Sequence, residues 1–284
     1  MRILSVLVLI LALTIAAAPV MAQTPDPNPG SITLTAGVDF PTTYFFRGIR
    51  QETKPALTMW PYGDVGLALH SGDGGVKSVG LNVGVWNSVH TGSSGLDGSS
   101  EKLQYEEDFY ATLNLGFGGG ASLATTYTAY TSPNGMFRTV KELMFKVAVA
   151  NKVAPYGVVA VELGDTAAAG ADGGNPGTYV ELGVGPSWAL GGGKATLAVP
   201  IKVGLSASDY YEFSGKDNKF GFFDVGGLIT IPLTSIPSSF GSWNVHGGAD
   251  LLVFGDTTKA LNTNSKGETS KRRVVGLFGI GFGY

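Results

Sequence analysis

Phe278, Ile280, Phe282 and Tyr284 alternate with Gly279, Gly281 and Gly283 up to the last residue. A period of two places the four large side chains on one face of a strand and bare glycine backbone on the other. A helix cannot use such a pattern, because its apolar face recurs every three to four residues. The segment therefore predicts a strand with apolar surroundings on one side and a closely approaching neighbour on the other.

The same period recurs along the chain. Twelve alternating segments run at about 31–46, 55–70, 76–90, 103–117, 121–131, 139–151, 153–164, 178–190, 194–208, 219–233, 242–254 and 272–284. Their connections alternate between long and short. The short ones are Ser71 to Gly75, Gly118 to Gly120, the region of Asn151 and Lys152, and Gly191 to Gly193, where glycine supplies the positive φ of tight turns. Polar stretches at 91–102, 165–177, 209–218 and 255–271 are long, and only Thr234 to Gly241 is long for its side.

Charge separates the two faces. Leu143, Phe145, Val147 and Val149 alternate with Glu142, Lys146 and Ala148, and Leu197, Val199, Ile201 and Val203 alternate with Thr196, Lys202 and Gly204. If the apolar face meets lipid, a one-residue slip would put Lys146 and Lys202 there at about 2–4 kcal/mol each near the midplane.

After residue 22 no run of 18 apolar residues occurs, so no transmembrane helix is expected. Without helices, a chain in a bilayer must close its sheet, since each unpaired backbone group in hydrocarbon costs several kcal/mol. Charged residues make up 14% against a typical ~25%, and the 43 glycines are about twice the usual share, which suits an apolar exterior and a crowded interior. With no Cys there is no disulfide framework, and a net charge of −3 provides no basic patch for nucleic acid.

The expected fold is all-β, a transmembrane antiparallel up-and-down β-barrel of about twelve strands over residues 31–284, with both ends on the same side. A soluble β-sandwich also alternates. The loop-length asymmetry, the glycine-rich polar face and the aromatic last strand weigh against it. Tyr44, Tyr105, Trp188, Phe222 and Trp243 lie near segment ends and are expected at membrane interfaces. Residues 1–22 read as a secretory signal, with Arg2 before an apolar stretch from Ile3 to Ala18 and Val20-Met21-Ala22 as cleavage site; 23–30, with Pro25, Pro27 and Pro29, form a flexible leader.

The terminal strand resembles the one by which bacterial outer-membrane barrels are recognised for assembly, which marks Phe278, Ile280, Phe282 and Tyr284 as an assembly signal. Tyr44-Phe45-Phe46-Arg47-Gly48-Ile49-Arg50-Gln51, followed by Pro55-Ala56, resembles the opening stretch of the TorF-type porins of Gram-negative bacteria. Further matches are Trp86-Asn87-Ser88, Glu106, Asp108 to Tyr110, and Tyr130-Thr131-Ser132-Pro133, with departures at Arg50 and between Gly63 and Gly84. This resemblance implies an outer-membrane, channel-like barrel. The partners expected for such a barrel are outer-membrane lipids and lipopolysaccharide, the barrel assembly machinery, and small hydrophilic solutes or ions.

Twelve strands fall between eight-stranded barrels filled by side chains and sixteen-stranded ones with wide pores. The facing assignment puts Asp39, Asp64, Glu106, Asp108, Glu142, Glu162, Glu181, Asp224 and Asp250 in the lumen against Arg47, Lys146, Lys202 and Arg273. Carboxylate rings favour cations, so the functional expectation is a narrow, weakly cation-preferring passive pore. Two alternatives stand beside it. Internal pairing would plug the lumen and leave a non-conducting structural or adhesive barrel. An outer-membrane lipid hydrolase would need a Ser and a His on the outer surface. Ser88 and His90 share a face, but that face is expected to be luminal and the pair lacks a third member.

Arg47 is read as half of a structural ion pair with Glu106, Asp108 or Asp250. Trp60, Tyr62, Tyr127 and Tyr130 are candidates for stacking a sugar or planar solute, or for packing the interior. His70, His90 and His246 have no metal-ligand spacing and no glycine-rich phosphate loop opens a helix, so no catalytic residue, metal or cofactor is expected.

Overall fold

The computed structural model describes residues 30–51, 56–91, 103–164, 175–263 and 266–284. The signal, nearly all of the leader and most of the connections at 91–102 and 165–177 lie outside the described residues. The strands are β1 (Ile32–Pro41), β2 (Phe45–Phe46), β3 (Ile49–Arg50), β4 (Leu57–Ser71), β5 (Val76–Thr91), β6 (Gln104–Phe117), β7 (Ala121–Thr131), β8 (Val140–Val149) and β9 (Pro155–Leu163). They continue as β10 (Thr178–Val184), β11 (Ser187–Leu190), β12 (Ala195–Ala198), β13 (Ile201–Ser208), β14 (Glu212–Phe213), β15 (Lys216–Asp217), β16 (Phe220–Pro232), β17 (Ser242–Phe254) and β18 (Arg272–Gly283), with helix α1 (Asp256–Leu261) before the last.

β10 with β11, and β12 with β13, are two staves interrupted at Pro186 and Pro200, residues with no N–H to give to a ladder. The gaps face each other, and Val199 N–H donates to the Pro186 carbonyl at 2.9 Å. Counted this way the antiparallel sheet has twelve staves, and it closes: β18 pairs with β17 on one side and β1 on the other, Ile280 lying opposite both Val245 and Val38. Leu34 and Tyr284 complete the seam with reciprocal backbone hydrogen bonds of 2.7 and 2.8 Å. The barrel expected from the alternation is the fold observed.

Exposure follows the expected faces. Phe145 and Val147 are 39% and 56% exposed, whereas Glu142 and Lys146, at the alternating positions of the same strand, are 1% and 7% exposed. Phe109, Leu113, Phe223, Ile229 and Phe278 also point outward. Luminal glycines explain part of the glycine excess. Gly37, Gly84 and Gly183 lie directly opposite Tyr62, Tyr110 and Tyr156 on neighbouring staves, and a Cβ on any of the three would sit 2.5 Å from Cζ of that tyrosine ring. The rings lie across bare backbone, which no larger residue permits.

The first segment departs from expectation. It was to continue as wall to residue 46, but β1 ends at Pro41, and β2 and β3 pair only with each other in a hairpin that folds into the lumen. Tyr44, Phe45, Phe46 and Ile49 are each 9% exposed or less. A wall strand needs one polar and one apolar face, whereas a hairpin inside the barrel buries both, and consecutive aromatics suit only the second. Tyr44, Tyr105 and Phe222 are therefore interior rather than interfacial, while Trp188 is 51% exposed. Tyr127, proposed for the lumen, is 41% exposed on the outer face because it alternates with the inward Thr126 and Thr128.

Candidate functional site

The hairpin turns at Arg47 and Gly48, with φ of 42° and 77°. Positive φ at both central residues is the two-residue hairpin geometry whose twist matches that of its strands. Glycine adopts it freely, but for arginine the left-handed region costs about 1–3 kcal/mol and must be held by surrounding contacts. Those contacts are numerous. Arg47 Nη1 and Nη2 donate to the two carboxylate oxygens of Glu142 at 2.7 and 2.8 Å, and Nη1 also donates to Tyr210 Oη at 3.0 Å. The guanidinium carbon lies 4.1 Å from the Tyr179 ring centroid, and Tyr211 Oη donates to the Arg47 carbonyl at 2.8 Å. Tyr130 Oη donates to Glu142 at 3.1 Å.

Glu142 was not among the partners expected for Arg47. An extended β1 would have kept Arg47 near the staves around it; the inward fold carries the guanidinium across the lumen to β8 instead.

A second set of contacts holds the hairpin's strands. Tyr44 Oη donates to Glu106 at 3.0 Å, and the Tyr44 ring meets Trp60 edge-on at 5.2 Å. Glu106 and Asp108, both buried, alternate along the luminal face of β6. Gln51 accepts a hydrogen bond from Tyr105 Oη at 3.3 Å, and Tyr105 stacks on His90 at 4.6 Å. Ser88 Oγ lies 2.6 Å from His90 Nε2 and accepts from Trp60 Nε1 at 3.1 Å. The Ser–His pair is thus inside the barrel and buried beneath the hairpin, remote from the outer surface that a lipid hydrolase needs.

The other luminal candidates form their own groups. Lys202 Nζ pairs with Asp224 at 3.1 Å. Glu181 accepts from Tyr156 and Tyr179 hydroxyls at 2.8 and 2.5 Å, and Lys146 Nζ lies 4.7 Å from the Tyr156 ring centroid. Glu162 accepts from the Gly177 N–H at 2.6 Å, and Asp64 from Asn82 at 2.5 Å. Asp39 meets His246 at 2.7 Å. Asp250 lies against Gly226, its register partner on β16. Of the residues expected to signal assembly, Phe278, Ile280 and Phe282 are on β18 and Tyr284 follows its end, with Phe278 56% and Tyr284 44% exposed.

The sequence reading missed that tyrosine hydroxyls hold luminal carboxylates: Tyr44 donates to Glu106, Tyr156 and Tyr179 donate to Glu181, and Tyr130 joins Arg47 on Glu142. It also missed Tyr210 and Tyr211, whose signal was an aromatic pair in an otherwise polar connection. Below the hairpin a cavity of about 90 Å³ remains, lined by Phe45, Trp60, Lys202, Phe222, Asp224 and Asp250 among others. Among the described residues, no group of three or more His, Asp or Glu is placed to hold a metal ion.

No protein-family model and no curated protein sequence matches this chain. Among solved structures it is similar to the NanC porin, at 8% identity and a TM-score of 0.45 over 88% of this chain and 98% of that one. It is similar to outer membrane phospholipase A from Escherichia coli at 15% identity and a TM-score of 0.43, covering 92% and 94% of the two chains. A third likeness is to the β domain of the Bordetella autotransporter BrkA, at 11% identity and a TM-score of 0.40 over 89% and 99%. Likenesses of this degree transfer no role to this chain.

Proposed function

We propose that this protein is a bacterial outer-membrane channel for small hydrophilic solutes or ions, of the TorF type its opening motif resembles, reached by export on the N-terminal signal. The observation that carries this reading is the inverted polarity of a closed barrel, with charged residues inside and aliphatic and aromatic side chains outside. A bilayer-spanning barrel with a hydrated interior requires that arrangement. A cation preference follows from the luminal carboxylates. Asp64 and Glu181 are held by amide and hydroxyl donors, which orient a carboxylate without cancelling its charge.

Passage through the lumen runs past the hairpin of β2 and β3. Because these strands share no ladder with the wall, opening breaks no wall strand pairing; it requires that the contacts of Arg47, Tyr44 and Gln51 and the packing of Phe45, Phe46 and Ile49 give way. The same filling favours a second reading, a non-conducting structural barrel. No chemical step is assigned to Ser88 and His90, which lie under the hairpin with no access from the lipid side.

Planar-bilayer recording on refolded protein separates the readings. Stepwise conductance with a cation-selective reversal potential under a salt gradient is expected, and Arg47→Ala should raise the conductance or open time. A folded, silent barrel in both forms would leave the structural reading. Anion selectivity would reject the preference while keeping the pore.

A further inference from the structure

The cavity beneath the hairpin has a charge imbalance built into its wall. Lys202, Asp224 and Asp250 project from three consecutive staves: Lys202 is opposite Asp224 across β13 and β16, and Asp250 on β17 is opposite Gly226, two residues along from Asp224. Lys202 Nζ binds Asp224 Oδ2 at 3.1 Å. Arg47, the other cation bordering the space, is engaged by both oxygens of Glu142. Two carboxylates thus share one ammonium. The Asp224 side chain is only 8% exposed, and its Oδ1 accepts no hydrogen bond. A buried carboxylate oxygen without a donor is costly unless a ligand supplies one.

Apart from Thr43 and Arg47 the remaining wall is apolar, with Phe45, Trp60, Phe222 and Leu252 around the charged row. Two carboxylates and one hydroxyl supply too few oxygens for the shell that a bare inorganic cation requires. The apolar wall does suit an alkyl group, and aromatic faces add attraction for an ammonium. Size narrows the choice further: a cavity of about 150 Å³ holds a six-carbon ring, so about 90 Å³ corresponds to roughly four non-hydrogen atoms. Lys202 itself shows the chemistry, being a primary ammonium on an alkyl stem already seated on one of the two carboxylates.

We infer that this cavity is a binding site for a short primary alkylammonium, its head on Asp224 and Asp250 and its chain against Phe222 and Leu252. The inference names the solute class of the proposed channel and so rests on that reading for its physiological meaning, although the site can be measured without conduction.

Calorimetric titration of the detergent-refolded barrel with n-propylammonium, propan-1-ol and propionate compares one size across three charges. Saturable binding of n-propylammonium is expected, at least tenfold tighter than propan-1-ol, with none for propionate. Asp250→Asn, checked for folding by its heat-modifiable gel mobility, should weaken it tenfold or more, and a tenfold excess of sodium chloride should leave it in place. Absence of binding, equal binding of the three probes, full displacement by sodium, or an unchanged affinity in a folded Asp250→Asn protein would each overturn the site. The three-probe comparison stands if that variant does not fold. A silent barrel that binds n-propylammonium would refute the pore and leave the site, and a conducting barrel that ignores it would do the reverse.

Discussion

Arg47 and Glu142, 95 residues apart, are joined by two hydrogen bonds of 2.7 and 2.8 Å, with both side chains only 1% exposed. The pair links the tip of the inward hairpin to the far wall of the barrel. Two charges taken out of water in this way hold each other only while both are present.

Removing one partner should therefore cost more than removing both. Arg47→Ala leaves Glu142 buried without its countercharge and should destabilise the refolded barrel by about 3–5 kcal/mol, whereas Arg47→Met with Glu142→Leu should recover most of that loss. Urea unfolding of the single and double variants in lipid vesicles measures both. Additive losses would mean that the pair is not coupled.

Gly84 and Tyr110 test the packing of aromatic rings over glycine. A methyl at Gly84 would fall 2.5 Å from Tyr110 Cζ, so Gly84→Ala should cost about 1–3 kcal/mol. Tyr110→Ala should relieve the part of the clash made by the ring, the Gly63 carbonyl oxygen at 2.6 Å remaining, and give a coupling of about 0.5–3 kcal/mol in a double-mutant cycle. A neutral Gly84→Ala would show that the ring has room to move.

Val83 lies midway along β5 and is 53% exposed on the outer face. If that face meets lipid, Val83→Lys should cost about 2–4 kcal/mol in vesicles. A cost below about 0.5 kcal/mol, the range of ordinary surface changes, would place the face in water.

The hairpin of β14 and β15 should loosen in acid. Partial burial opposes ionisation of Asp217, but hydrogen bonds from Lys219 at 2.6 Å and Ser206 at 2.7 Å, helped by a backbone hydrogen bond and the Lys219 charge, outweigh it and hold the carboxyl below its usual value. A folded-state value below the unfolded ~3.9 gives stability that is present above about pH 4 and lost as pH falls through the folded value. Amide-exchange protection in residues 206–219 should decline below about pH 4 in the native protein and show less pH dependence in Asp217→Asn. Equal pH dependence in both proteins would remove Asp217 as the cause.

The last strand carries a separate expectation. Tyr284 closes the seam through its backbone pairing with Leu34 while its ring faces outward. Phe282→Ala with Tyr284→Ala keeps the backbone bonds and removes the aromatic side chains. The amount reaching the outer membrane should fall several-fold while refolding in detergent persists. Equal losses in both assays would assign the residues to stability instead of assembly.

The wall of this barrel was readable from residues such as Lys146 between Phe145 and Val147, because facing in a strand is a local property: each residue's side is set by its parity. Stave count followed from the same rule, and even Pro186 and Pro200 only interrupt staves already marked by their neighbours. The interior was readable only as an inventory. Arg47 was legible as an ion-pair residue but its partner was not, since Glu142 becomes its neighbour only when the sheet has closed and β2 and β3 have turned inward. Tyr44 and Phe222, at segment ends, look the same in sequence whether they face a membrane interface or a packed lumen. Alternation thus determined the cylinder and its two faces, while closure across the barrel decided which charges meet, how far the lumen is filled and where a cavity remains, because those contacts join staves that no local period relates.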